Sequence, residues 1–431
     1  MRSAPVHFWL PGSPDPTEAG IFEWDGGQGR FRYSGEYLSG LYLHGRSPLP
    51  LDPILLPLKR TTINETHQKG IFGVFSDGSA DAWGKRLLEA KYGELDAFEV
   101  LERSSDDGVG AIAVGELENK KSPAFSLADL RDAATKIAAM QVKDVPNEIL
   151  GVLHPTTSLG GAKPKLNIRH KGEMWIAKFI ERGDSTYLPQ AEHALLQLGR
   201  QCGIDTCHSV VELVGDDCYA ILVKRFDRER VDGGFARRGF ASAHTVLRIK
   251  PESDLRDKSY IKLSHELQRW VAPTEALQQK RELWRRIVFN ALVGNVDDHT
   301  KNHGLLQYGN SWRLSPAFDI VPVLHPRRDR IALSMSFAKI EGRMTAIVSS
   351  ETLLNDCRLF GYEPEEARGE LLGMAEIVAS DWRASMLKAG MPTEEVERFA
   401  ESFGVAHRIG REVKADLISM PLSRQSSDFS P

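Results

Sequence analysis

Three side chains within six consecutive positions, Asp297, Lys301 and Asn302, have the types and spacing needed for group transfer. An Asp that takes up the proton of an attacking hydroxyl, followed five positions later by an Asn that holds a metal ion, is the spacing of a phosphoryl-transfer catalytic loop. His299 lies between them. Asp319 follows 17 positions after Asn302, beside Phe318, and is a candidate for the carboxylate that grips magnesium on the phosphates of ATP. The chemistry would be transfer of a γ-phosphate to a hydroxyl, with Lys301 neutralising charge.

That chemistry needs a nucleotide-holding half, and the preceding sequence offers one. Lys178 sits inside the apolar run Trp175–Ile180, where an ammonium is costly to bury unless an anion compensates. ATP phosphate plus a carboxylate would do so, and Glu192, on the predicted helix Ala191–Gly199, is the carboxylate of choice. Upstream, Thr156–Lys165 is a small-residue loop. The glycines Gly160 and Gly161 permit close backbone approach, so N–H groups there, at Ser158 and at Ala162 would surround phosphate oxygens, with Lys163 or Lys165 adding charge. Lys224 and Phe226 stand where the buried strand Cys218–Val223 turns abruptly charged, which suits a hinge meeting the base edge. The arginine- and glycine-rich residues 229–240 read as a solvated connector.

The elements that must position these groups follow from pattern. Residues 1 to about 60, rich in Gly, Pro and aromatics, predict short strands and turns. Helical spacing begins at Asp81–Ala90 behind a Ser79 or Asp81 cap, and the Ala-rich run Leu127–Met140 also reads helical. His170–Glu173 reads as a hairpin turn. Trp284, Ile287, Val288, Ala291 and Leu292 form one apolar face, and Gly294 can end that helix just before Asp297. Leu371, Met374, Ala375 and Val378 repeat the pattern, and Val396, Phe399 and Phe403 do so more loosely. The expected division is 1–110 a β-rich subdomain, 111–235 the nucleotide lobe, 236–420 a helical lobe and 421–431 a frayed tail.

Composition sets outer limits. A chain of 431 residues is long enough for two or three lobes, each with its own core. A formal net charge of -4 argues against a protein that coats itself in Lys and Arg to bind nucleic acid, so any DNA contact would be indirect. No run approaches a membrane span, and a cytoplasmic location is expected. Cys202, Cys207, Cys218 and Cys357 form no CxxC pair and indicate neither a disulfide framework nor a zinc knuckle.

Taken together, the chain resembles the HipA family of bacterial toxin kinases. The resemblance is carried by Phe72-Gly73 with Asp81-Ala82-Trp83-Gly84, Ser158-Leu159-Gly160-Gly161-Ala162-Lys163-Pro164-Lys165, Arg225-Phe226-Asp227-Arg228, Asp297-Asp298-His299-Thr300-Lys301-Asn302 and Phe318-Asp319. It implies an α+β, two-lobed, protein-kinase-like fold with an extra N-terminal β-rich subdomain and an all-helical C-terminal lobe. It implies Asp297 as catalytic base, Asn302 and Asp319 as Mg²⁺ ligands, Lys178 as the phosphate-binding lysine, His299 within the ATP-binding box and Ser158 as a site of autophosphorylation. It also implies a HipB-like helix-turn-helix antitoxin that carries the DNA contact, and a protein substrate such as an aminoacyl-tRNA synthetase.

Three rivals remain open on sequence. His299 and His303, at i and i+4, have metallohydrolase spacing, but Thr300 stands where that motif wants Glu. A small-molecule phosphotransferase would share the Asp-to-Asn spacing. A pseudokinase scaffold would merely hold the DNA-binding partner.

Overall fold

The computed structural model describes residues 1–41, 43, 45–117, 163, 165–180, 184–215, 218–324 and 331–419. Ser158, Gly160, Gly161, Ala162 and Pro164, with the predicted helix Leu127–Met140, lie outside the described residues.

The first module is an antiparallel sheet built from β1 (Arg2–Phe8), β2 (Thr17–Trp24), β3 (Gly29–Tyr33), β4 (Ile63–Glu65) and β5 (Ile112–Val114), in the order β4-β3-β2-β1-β5. Alternation drives it: Ala4, Val6 and Phe8 are buried while their neighbours face outward. Because β5 pairs with β1, this sheet extends to residue 114. Four helices attend the sheet, α1 (Gly35–Ser39), α2 (Gly73–Gly78), α3 (Ala82–Tyr92) and α4 (Ala97–Arg103). Phe72 and Phe75, at the start of α2, meet Phe22 and Phe31 of the sheet edge-on. Each such buried aromatic contributes roughly 1.5–3 kcal/mol. Asp81, the sequence-expected cap, accepts from Gly84 N at 2.9 Å.

The second unit is a four-stranded antiparallel sheet with one helix. Its parts are β6 (Lys165–His170), β7 (Glu173–Phe179), α5 (Leu188–Gln201), β8 (Ser209–Gly215) and β9 (Cys218–Lys224), in the strand order β6-β7-β9-β8. The predicted turn at 170–173 is present, with Lys171 at φ 50° and Gly172 at φ 78°, the left-handed pair a two-residue hairpin requires.

The expected solvated connector is instead the hairpin β10 (Arg228–Val231) and β11 (Gly234–Arg237), and its arginines are the reason. Arg225 donates to Asp107 Oδ1 at 2.9 Å and to Asp227 Oδ2 at 2.8 Å, and Arg228 reaches Asp227 Oδ2 at 2.6 Å. Arg237 lies over the Trp9 ring, 3.4 Å from its centroid. Asp107 belongs to the loop after α4, so this buried cluster fastens the first module to the second.

The remainder is mainly helical, with short strands. In order come β12 (Phe240–Ser242), α6 (Ala243–Val246), α7 (Tyr260–Trp270), α8 (Ala276–Leu292), β13 (Gly304–Tyr308), β14 (Ser311–Leu314), β15 (Ala338–Ile340) and β16 (Arg343–Thr345). Then follow α9 (Ser350–Asn355), α10 (Pro364–Lys388), α11 (Thr393–Glu397) and α12 (Ala400–Ser419). All five apolar positions foreseen on α8 are buried, as are the four on α10. Gly294, at φ 67°, turns the chain out of α8 toward Asp297. The first module also presses on this half: a Cβ at Gly73 would lie 2.5 Å from the Thr245 side chain, so only glycine fits.

Removing Asp227 would leave Arg225 and Arg228 buried with less compensation, and breaking a buried pair in this way costs about 3–5 kcal/mol. Asp227→Ala is therefore expected to lower the free energy of unfolding by that amount, measured by denaturant titration followed through tryptophan fluorescence. An unfolding free energy within about 1 kcal/mol of the parent chain would show that the cluster does not hold the modules together.

Candidate active site

The centre forms around Lys178. Strand β7 carries it between two neighbours, paired with Lys165 of β6 and Ile221 of β9. Its Nζ donates to Glu192 Oε1 and to Asp319 Oδ1, both at 2.7 Å. Glu192 projects from α5 and is buried; Asp319 arrives from 141 positions along the chain. Burial disfavours the ammonium, but Asp319 and Glu192 outweigh it and hold the Lys178 pKa above its ordinary value. Burial also pushes both carboxyls up. For Glu192 it prevails and the carboxyl stays raised, whereas the Lys178 ammonium brings Asp319 below its usual range. The cluster thus has two carboxylates and one ammonium, and is short of positive charge.

Asp319 adopts φ 58°, the left-handed region that costs a non-glycine residue free energy and that short polar side chains tolerate best. Its backbone is set by the preceding residues. Ala317 bridges to Thr206, with Cys207 N donating to Ala317 O at 2.9 Å, and buried Phe318 packs on Phe226 with centroids 5.7 Å apart.

The loop after α8 is held from several sides. Asn302 Nδ2 donates to Asp297 O at 2.8 Å, and His299 N donates to the same carbonyl at 2.8 Å. Ala243 N and His244 N of α6 donate to His303 O and Thr300 O. Ser334 N reaches Asp298 Oδ1 at 2.8 Å and Ser334 Oγ reaches Val296 O at 2.7 Å. These contacts leave the Asp297 side chain exposed to solvent. Asn302 is buried, and its Oδ1 has no hydrogen-bond partner. A buried acceptor without a donor is costly, and a cation would satisfy it. Asn302 and Phe318 line one small cavity of about 10 Å³, which sets the asparagine against the turn that carries Asp319.

The other sequence candidates are placed as follows. Lys165 is buried against Asp81, Nζ to Oδ2 2.7 Å, and burial lowers its pKa despite that partner. Lys163 pairs with Asp184 at 2.8 Å. Lys224 reaches Glu173 at 3.3 Å, and half-buried Phe226 rests between Phe240 and Phe318. His299 is partly exposed and its electrostatic field reaches Asp319. Lys301 is exposed. Ser158, Gly160, Gly161 and Ala162 lie outside the described residues.

Sequence reading missed the support beneath the loop. Tyr260, fully buried at the start of α7, donates its hydroxyl to Asp298 and lies 2.8 Å from His303 Nε2. Burial raises the Asp298 carboxyl to about 8, with its donors Tyr260 and Ser334 opposing, and burial lowers His303 to about 3. His303 is therefore neutral and engaged with Tyr260. Among the described residues no group of three or more His, Cys, Asp or Glu is arranged to hold a metal. The only hint in the sequence was the apolar face of α7, which carries a tyrosine where a phenylalanine would pack as well.

Comparison with known proteins follows from this geometry. A family model described as the HipA-like C-terminal domain matches residues 157–400. A putative kinase of Haemophilus influenzae is 25% identical over 180 residues, covering 38% of this chain and 52% of that protein. The chain thus spans about half the length of the curated relative it matches. HipA of Shewanella oneidensis MR-1, solved with HipB and operator DNA, shares the fold at a TM-score of 0.68 and 18% identity, over 96% of this chain and 99% of that one.

Two measurements test the support of the loop. Tyr260→Phe leaves Asp298 and His303 each short of a buried partner and is expected to cost about 1–3 kcal/mol in chemical denaturation; no loss would remove Tyr260 from this role. Asp298 holds its proton more tightly folded than unfolded, so its contribution is full at acid pH and is lost as pH rises from about 4 to about 8. Between pH 6.5 and 8 the parent chain should lose stability relative to Asp298→Asn; parallel curves would contradict the assignment.

Proposed function

From its place in the HipA-like C-terminal domain family, to which the chain belongs, we propose that this protein is an ATP-dependent Ser/Thr protein kinase and the toxin of a toxin–antitoxin pair. The observation that carries the reading is the contact of Lys178 with Glu192 and Asp319. It joins a strand lysine, a helix carboxylate and a loop carboxylate as protein kinases do around ATP phosphates.

Each residue then has a task. Lys178 neutralises phosphate charge, with Glu192 fixing its direction. Asn302, through its unpartnered Oδ1, and Asp319, through the oxygen that Lys178 does not use, would hold Mg²⁺. Such a site suits magnesium, which is usually bound by one or two carboxylates plus substrate phosphates. When bound, the ion supplies neutralisation of the phosphate charge during transfer. The exposed Asp297 carboxylate receives the proton of the acceptor hydroxyl; that oxygen bonds to the γ-phosphorus, the bond from phosphorus to the β,γ-bridging oxygen breaks, and ADP leaves. Lys301, four positions beyond Asp297, neutralises charge on the moving phosphoryl group. Lys163, His299 and the loop around Ser158, Gly160, Gly161 and Ala162 complete the nucleotide site, with Phe226 and Lys224 at the hinge. Lys165 contributes through the field it exerts on Asp319.

On this reading Ser158 is the autophosphorylation site. A doubly charged group there would repel the triphosphate and attract nearby cations, switching the enzyme off. The partner is a HipB-like helix-turn-helix antitoxin, which would make the DNA contact, and the place of action is the cytoplasm. The protein acceptor to test first is an aminoacyl-tRNA synthetase. No helix among the described residues is long and apolar enough to cross a membrane.

The decisive experiment is incubation of the pure chain with Mg²⁺ and γ-labelled ATP in a cell lysate, followed by mass spectrometry of the labelled sites. Labelled Ser or Thr in a protein, and phospho-Ser158, are the expected products. Asp297→Asn keeps the shape but removes the base, and should slow transfer by about 10²–10⁴-fold with ATP binding retained. Transfer at the parental rate by that variant would exclude Asp297 as the base, and label confined to small molecules would replace the protein-kinase reading.

A further inference from the structure

The first module shares a cavity with the catalytic loop. The space, about 280 Å³, has one wall from Asp77, Asp81 and Lys85 of that module and another from Ser242, His244 and Lys301. It approaches the lower limit of small-ligand pockets, about 300–1,000 Å³, so it has room for one or two side chains but not for a folded surface.

Its charges are engaged unequally. Asp77 accepts from Ser242 N and Ser242 Oγ, both at 2.7 Å. Asp81 caps α3 through Gly84 N and binds the buried Lys165 at 2.7 Å. Both carboxylates are therefore committed to the fold. The cations are not. Among the described residues exposed Lys85 pairs with the half-buried Glu89 one turn on, at 3.3 Å, an ion pair of the kind worth at most about 1 kcal/mol and readily exchanged. Lys301 is exposed, and its field reaches both Asp77 and His244. His244, its pKa lowered to about 4 by burial and then by Lys301, adds no charge at neutral pH. An entering carboxylate thus meets Lys85, whose only ion pair among the described residues is the weak one to Glu89, while Asp81 is balanced by Lys165 and Asp77 lies in the field of Lys301.

Position says which group that is. Lys301 lies on the catalytic loop, so whatever fills the cavity lies beside the loop that holds Asp297. Lys178 and Asp319, the groups assigned to the triphosphate, do not line this cavity. We propose that this cavity is the acceptor subsite, taking a protein segment that carries an Asp or Glu within a few residues of the receiving Ser or Thr, with Lys85 binding that carboxylate. The proposal rests on the phosphoryl-transfer reading above and gives the β-rich module a part in choosing the substrate.

The test uses the full-length chain, Mg²⁺-ATP and pairs of synthetic peptides that differ only in Glu or Lys beside a Ser or Thr. The parent chain should phosphorylate the Glu peptides with a kcat/KM at least about tenfold higher, the scale of one charge-assisted contact. Lys85→Glu should erase or invert that preference through the peptide KM, with the KM for ATP unchanged. Lys85→Gln should give an intermediate ratio, and equal melting temperatures would show that neither variant is misfolded. The subsite is overturned if the Glu-to-Lys ratio is the same in the parent and Lys85→Glu, or if the KM for ATP moves instead. A parent chain that labels no acceptor at all, protein or peptide, overturns the kinase reading itself.

Discussion

One ammonium group inside a sheet governs how the two working halves meet. Lys178 cannot be buried in β7 without anions, and the two that answer come from α5, 14 positions away, and from a turn 141 positions away. Satisfying it brings the helix to the sheet and the distal loop to both. The arrangement leaves an excess of negative charge, so the docked halves are also an attractor for a cation. Structure and proposed chemistry therefore share a cause: the shortage of positive charge created by closing the cleft is what a bound Mg²⁺ would relieve.

A second ionic cluster works in a different way. Arg225, Arg228, Asp227 and Asp107 are matched two against two, and most of their donors and acceptors are spent on one another or on backbone carbonyls of Gly108 and Gly110. Nothing is left over for a ligand. Such a balanced network gives registry between the β-rich module and the residues that follow β9. The two clusters illustrate how a shortage of compensating charge marks a site and a full complement marks a joint.

Much of this was legible in the sequence where a residue type conflicted with its surroundings. A lysine in an apolar strand announced Lys178 and its need for Glu192. Helical spacing located α8 and its end, and Gly294 located the turn toward Asp297. The arginine-rich segment 229–240 misled because charge and glycine content look alike in a solvated loop and in a hairpin; Arg237 finds Asp106 131 positions upstream, which only folding brings close, and Arg238 pairs with Glu229 inside the hairpin. The Tyr260–Asp298–His303 support was hidden for a similar reason, since a buried tyrosine in an apolar stripe reads as packing until its hydroxyl is seen to find partners. The Gly-rich loop was weak evidence on its own, because a Gly-Gly turn with flanking lysines is usually just a turn, and apart from Lys163 and Lys165 it lies outside the described residues.

The side-chain amide of Asn302 faces two ways, nitrogen toward the Asp297 carbonyl and oxygen toward the cleft. A carboxylate in its place would still offer oxygen to a cation, yet it would set lone pair against lone pair at the carbonyl and loosen the loop that carries Asp297. A lysine or serine would lack either the reach or the second function. One amide thus joins two demands, the donor that fixes the loop and the acceptor that the proposed metal contact needs, and a substitution that meets one forfeits the other.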